Sequence, residues 1–169
     1  MKIEDTKPLK ASRLDTPLGQ MLAIANEEAL YLLEFVDCRN LERKIEKLRY
    51  TQGSTQPIHA IEKELSLYFK GVLKEFKTPI FLFGTPFQNR VWAELKKIPI
   101  GETRSYSNLA TAIGKPSAFR AAAQANSSNQ LALIIPCHRV INASGTLGGY
   151  AGGISRKKWL LDHEKRFNL

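Results

Sequence analysis

The residues best suited to chemistry stand together at 136–140, Pro-Cys-His-Arg-Val. An apolar run (Leu131, Leu133, Ile134, Ile135) precedes them, and Gly148-Gly149-Tyr150-Ala151-Gly152-Gly153 follows. The thiol of Cys137 therefore lies beside an imidazole, His138, and a guanidinium, Arg139, in a setting that predicts burial. A thiol attacks as the thiolate; a neighbouring His or cation draws its pKa down from about 8.5, and apolar burial pushes it up. A cysteine held between these influences is poised and protected, as a selective nucleophile must be. Cys38 has no such company and reads as a small inert hydrophobe. Two cysteines with no Cys-x-x-Cys pair make no disulfide framework. His59, His138 and His163 stand at no metal-ligand spacing with them, so no metal is expected.

The elements that must position this thiol fall into two halves of a 169-residue chain that is 43% apolar, enough for one ordinary domain or two small ones. Lys10–Leu14, Met21–Ala25 and Ala29–Val36 read as strands, the first two separated by the turn signal Asp15-Thr16-Pro17-Leu18-Gly19. Asn40–Arg49 and Ile58–Phe69 carry helical apolar spacing. Gly71, Pro79, Gly84 and Pro86 mark a junction, placing an α/β domain over 1–83 and a mainly helical domain over 84–169. In the second half, Phe87–Lys97, Ser105–Ile113 (with Ser105 as N-cap), Ser117–Asn126 and Arg156–Lys165 (capped by Ser155) read as helices. The middle pair, joined through Gly114-Lys115-Pro116, has the pattern of a helix-turn-helix, and its run of small residues around Arg120 suggests a contact surface. The plainer reading of that pair is a helical hairpin packed in a core.

Charge is distributed unevenly. Residues 1–83 carry 13 Lys/Arg against 12 Asp/Glu, a balance of +1, while residues 84–169 carry 12 against 4, a balance of +8. A basic excess confined to the half that holds Cys137 points to a polyanionic partner, nucleic acid before membrane. No apolar run approaches the ~20 residues that span a bilayer. Met1-Lys2-Ile3-Glu4-Asp5 lacks a signal peptide's apolar stretch, so a cytoplasmic address is expected.

Residues 136–140 resemble the active-site signature of the O6-alkylguanine-DNA alkyltransferases, the methylated-DNA–protein-cysteine methyltransferases, in their stand-alone bacterial form. The resemblance runs in order through Gly84-Thr85-Pro86-Phe87-Gln88, Ile98-Pro99-Ile100-Gly101-Glu102, Ser105-Tyr106, Arg120-Ala121, Asn129, the cysteine motif, Gly149–Gly153 and Lys158–Glu164, and extends loosely to Pro17-Leu18-Gly19. It implies direct-reversal DNA repair, in which the alkyl group of O6-alkylguanine moves irreversibly to Cys137, once per molecule, without cofactor. His138 would take the thiol proton through a water, Glu164 would orient His138, and Asn129 would brace the segment around the cysteine. Tyr106 would donate to guanine N3 and crowd the phosphate of the flipped nucleotide. Backbone groups around Cys137 and Val140 would read the exocyclic amine, and Tyr150, Ala151 and Gly152 would line the substrate pocket. Arg120 would fill the stack vacated in double-stranded DNA, approached from the minor groove, with Ala121, Ala122 and Gln124 on the contact surface. The protein would act as a monomer.

Where many members have Ser, this chain has Ala151, which cannot hydrogen-bond the leaving O6. A roomier, less polar pocket follows, one that takes bulkier alkyl groups or O4-alkylthymine. The cysteines of an N-terminal zinc site are absent from the sequence. Two other classes compete. A non-enzymatic protein that recognises alkylated bases would lack the cysteine, and a Cys-His hydrolase would leave the DNA-facing helix unexplained.

Overall fold

The structure is a computed structural model that describes residues 7–167; Met1–Asp5, read above for a leader, lie outside the described residues. The chain divides into two compact units, one ending at Phe83 and the other beginning at Gly84.

The first unit is a four-stranded mixed sheet with two helices. β1 (Leu9–Thr16), β2 (Gly19–Ala25) and β3 (Leu30–Phe35) form an antiparallel meander, and β4 (Tyr50–Gln52) pairs parallel to β1, giving the order β3-β2-β1-β4. The first hairpin is tighter than its turn signal suggests. Thr16 pairs with Gly19 across only Pro17-Leu18, and Gly19 takes a φ of 116° that a side chain would strain. β3 is buried along its whole length, so its alternation is lost to a continuous apolar run.

The helix expected over Asn40–Arg49 shrinks to α1 (Leu41–Ile45). The chain leaves at Glu46 to supply β4, a polar Tyr-Thr-Gln triplet whose pairing with β1 no local pattern announces. Helix α2 (Gln56–Phe69) opens with Pro57 in its first turn and buries Ile58, Ile61, Leu65 and Tyr68 at helical spacing.

The second unit is helical. α3 (Pro86–Leu95) starts with a reciprocal capping box between Thr85 and Gln88 and buries Val91, Trp92 and Leu95. Gly84 is required where the chain enters this helix, since a Cβ there would come within 2.5 Å of the Trp92 ring. Trp92 Nε1 in turn donates to the Ala125 carbonyl at 2.9 Å. α4 (Tyr106–Ala112) is capped by Ser105, again in a capping box, with Asn108. It stops in a Schellman motif: Gly114, at φ 73°, bonds Thr111 O, and Lys115 N bonds Ala110 O. A single 3-10 turn, Pro116–Ala118, leads into α5 (Phe119–Ser127), which packs on both α3 and α4.

A two-residue parallel pairing joins β5 (Arg104–Ser105) to β6 (Val140–Ile141). It brings the start of α4 beside the end of the cysteine motif. α6 (Ile154–Phe167) closes the unit. Ser155, expected as its cap, lies inside the helix, because the turn that launches α6 forms earlier, with Gly153 at φ 97° and its carbonyl bonded by Lys157 N–H. Among the described residues no helix is long and apolar enough to cross a membrane.

Candidate active site around Cys137

Cys137 opens a 3-10 turn, Cys137–Arg139, and is 7% exposed. The segment that delivers it is held by Asn129, whose side chain uses both ends. Its Oδ1 accepts Leu131 N–H at 2.9 Å and its Nδ2 donates to Ile135 O at 2.7 Å. This brace encloses Leu133, buried at φ 71°, a conformation costly for a branched residue and one that persists only where its surroundings fix it. The Cys137 carbonyl accepts both Val140 N–H and, at 3.3 Å, Asn126 Nδ2.

Behind the thiol stands a buried three-residue network. His138 and Glu164 are both fully buried, and His138 Nε2 lies 2.7 Å from Glu164 Oε1. Arg139 forks onto the same carboxylate, Nε to Oε2 at 2.8 Å and Nη2 to Oε1 at 2.9 Å, and its Nη1 donates to Ile98 O at 2.7 Å. Burial alone would raise the Glu164 pKa; His138 and the Arg139 fork outweigh it and hold the carboxyl well below the usual range. Burial lowers the His138 pKa, Glu164 opposing and Arg139 and Lys157 adding to the effect, so the imidazole is neutral near pH 7. A carboxylate only accepts, so the ring proton sits on Nε2. That leaves Nδ1 as a buried lone pair with no hydrogen-bond partner among the described residues. A neutral imidazole with its proton pinned and its lone pair unengaged has the form a general base requires.

Two further groups are coupled electrostatically to Cys137. The Tyr106 phenol, at the start of α4, has its pKa raised by burial and then by Cys137, which keeps it protonated and a donor. Lys157 is buried on α6, and its Nζ donates to Val140 O at 2.5 Å and to Gly149 O at 3.2 Å. Burial pushes its pKa down to about 8, with Cys137 pulling the other way. The same ammonium stands 6.0 Å from the centre of the Tyr106 ring. Next to it on α6, Arg156 Nη1 donates to Gly152 O at 2.9 Å. The two cations thus fasten both ends of the Gly149–Gly152 segment to one helix. Tyr150 and Ala151 lie half-buried between those ends, and Gly152 is buried.

The structure brings Cys137, His138 and Glu164 into one cluster with Asn129 and Tyr106 around it. Arg120, Ala121 and Gln124 lie exposed on α5, whereas Ala122 is buried against the core. Phe119, at the head of the same helix, is 45% exposed, with the Arg120 guanidinium 5.8 Å from its ring centre. Arg139, Lys157 and Asn126 were not among the residues assigned by sequence. Lys157 had a signal: with Leu160, Leu161 and Glu164 it falls at i, i+3, i+4 and i+7, one helix face. No group of three or more His, Cys, Asp or Glu side chains among the described residues could hold a metal ion.

Comparison with known proteins places this geometry. Residues 86–166 match the model of the 6-O-methylguanine DNA methyltransferase DNA binding domain. The chain is 44% identical to the methylated-DNA–protein-cysteine methyltransferase of Mycobacterium tuberculosis over 90% of both chains. It is 37% identical to that of Salmonella typhimurium over 92% of this chain and 95% of the other. The crystal structure of Mycobacterium tuberculosis OGT in complex with DNA is similar at a TM-score of 0.84 and 39% identity, covering 94% of this chain and 93% of that one.

Proposed function

The chain belongs to the methylated-DNA–protein-cysteine methyltransferases, and from that premise we propose that Cys137 is the residue that takes the alkyl group from O6-alkylguanine in DNA. The observation that carries the assignment is the buried relay behind the thiol. His138 presents an unengaged Nδ1 while Nε2 is tied to a carboxylate that Arg139 keeps ionised.

The reaction is a displacement at an sp³ carbon. His138 Nδ1 takes the thiol proton, directly or through one water, and the imidazolium formed is stabilised by Glu164 at 2.7 Å. The Lys157 ammonium, close enough for Cys137 to shift its pKa, favours the thiolate. The sulfur–carbon bond forms as the carbon–O6 bond breaks, and the electron pair moves into the base. The proton given up by the thiol balances the guanine that leaves, with the Tyr106 phenol donating to the ring. Sulfur ends as a thioether, so each molecule reacts once. A displacement of this kind by a thiolate calls for neither metal nor redox cofactor.

A nearly buried thiol does not reach a base inside a duplex, which supports extrusion of the nucleotide at a cost of a few kcal/mol. Arg120 on α5 is the residue we assign to the vacated stack, with Ala121, Gln124 and the exposed Phe119 against the minor groove. Ala122 supports the helix from inside. The balance of +8 over residues 84–169 supplies affinity without sequence preference. Val140 O, assigned to the exocyclic amine, would accept from that amine as well as from Lys157 Nζ. Ala151 leaves the pocket beside Tyr150 without a hydroxyl, which suits bulkier alkyl groups and O4-alkylthymine. We place the protein in the cytoplasm, acting as a monomer.

The test is an oligonucleotide carrying radiolabelled O6-methylguanine. Stoichiometric transfer of label to the protein, abolished in Cys137→Ser, is the expected result. Label that stays on tightly bound DNA would instead mark a recognition protein, and repeated release to solvent a hydrolase.

A further inference from the structure

Asn126 lies on the inner face of α5, 5% exposed, and its Nδ2 donates to the main-chain carbonyl of Cys137 at 3.3 Å. Its Oδ1 is buried and has no hydrogen-bond partner among the described residues. The reverse amide orientation would set an acceptor against that carbonyl, so the donor must face Cys137. Burying an unpaired acceptor is unfavourable, and an apolar side chain would fill the position without it, as Ala122 and Ala125 do on the same face. What the amide supplies at 126 is the bond to the nucleophile's own backbone.

Asn129 does not duplicate this bond. Its hydrogen bonds end on Leu131 and Ile135, on the segment leading to the cysteine. At the neighbouring position on α5, the Ala125 carbonyl is fixed by Trp92 Nε1 at 2.9 Å. One turn of helix is therefore tied on one side to α3 and on the other to Cys137, while the outer face of α5 carries Arg120 and Gln124.

We propose that Asn126 is a positioning residue that couples the DNA-facing helix to the nucleophile, so that the seating of α5 on a duplex sets the direction of the Cys137 thiol. The inference rests on the reading of Cys137 as acceptor and of α5 as the DNA-facing helix. It predicts that Asn126 matters more when the alkylated base arrives on a duplex than when it arrives free, because only the duplex loads α5.

The experiment compares native protein with Asn126→Leu, which keeps the bulk and removes both polar atoms, and with Asn126→Met as a more adaptable filling should the branched chain not fold. Each is assayed with a duplex carrying O6-methylguanine and with free O6-benzylguanine, alongside duplex affinity and Tm. The expected result is unchanged duplex affinity and an unreduced Tm. The transfer rate from bound duplex falls on the order of tenfold, since small misplacements of a reacting group cost that much or more. The rate with free base falls by less than about threefold. Equal rates for variant and native protein on both substrates would overturn the proposal. So would a parallel fall on both with a lowered Tm, which marks a purely structural role. Native protein that transfers from neither substrate would overturn the acceptor reading itself, and this inference with it.

Discussion

Replacing Glu164 by Gln tests the buried relay most directly. The carboxylate accepts three donors on two oxygens: His138 Nε2 and Arg139 Nη2 on Oε1, and Arg139 Nε on Oε2. A glutamine offers one acceptor and one NH2. Turned to keep His138 and Arg139 Nη2 satisfied, it sets its NH2 against Arg139 Nε; turned the other way, it loses two bonds. Either way a guanidinium buried to 7% exposure loses its counter-ion, a change that costs about 3–5 kcal/mol of stability. The chemical step suffers separately. Stabilisation of an imidazolium by a carboxylate about 5 Å away between charge centres is worth about 3 kcal/mol at an effective dielectric of about 20. At about 1.36 kcal/mol per tenfold, the rate falls roughly 100-fold. Urea unfolding gives the first quantity and rapid-quench transfer from a radiolabelled duplex gives the second, with duplex affinity measured on the same samples. Glu164→Gln protein that is folded, binds duplex as the native does and transfers within about threefold of the native rate would refute the role given to Glu164.

Three other outcomes follow from the same geometry. The His138 pKa is lowered, so transfer holds as pH falls through about 6.5 and declines only below it. Stability declines across the same interval, because the unfolded imidazole binds a proton before the folded one does; an acid limb of the rate profile with its midpoint at or above about 6.5 would contradict the neutral buried base. Lys157→Met removes the ammonium and strands the Val140 and Gly149 carbonyls, so single-turnover transfer falls at least about tenfold. Loss of the ammonium near pH 8 predicts a rate inflection there in native protein that is absent from this variant, and an inflection that persists in the variant would assign it elsewhere. Ala151→Ser narrows the pocket and adds a donor, lowering the ratio of benzyl to methyl transfer; equal ratios in variant and native protein would show that residue 151 does not set alkyl preference.

What was legible in the sequence is what is local. Ser105 and Asn108 cap a helix three residues apart, Gly114 ends it, and the Cys-His-Arg triplet is contiguous. Glu164 was readable only through resemblance, since nothing in its own helix says that a residue 26 positions away is its partner. Arg139 was visible as a charge beside the thiol, but its fork onto Glu164 and its bond to Ile98, 41 residues back, exist only once the unit has folded. Asn126 looked like the tail of a helix-prone run, and its hydrogen bond crosses to a segment with no periodicity at all. β4 escaped because a half-exposed polar triplet pairs through backbone groups that every residue carries.

The relay behind Cys137 draws on three stretches that are remote in sequence: the Ile98 carbonyl, the 137–139 turn and Glu164 on α6. None of the three touches the others in an extended chain. Until α6 packs against the turn, His138 has no carboxylate and Cys137 is an ordinary thiol in water. Reactivity is therefore switched on by folding itself. A nascent, nicked or partly unfolded molecule carries a cysteine no more alkylatable than any other in the cell. An irreversible nucleophile is most hazardous when its surroundings are unformed, and here those surroundings are what make it a nucleophile.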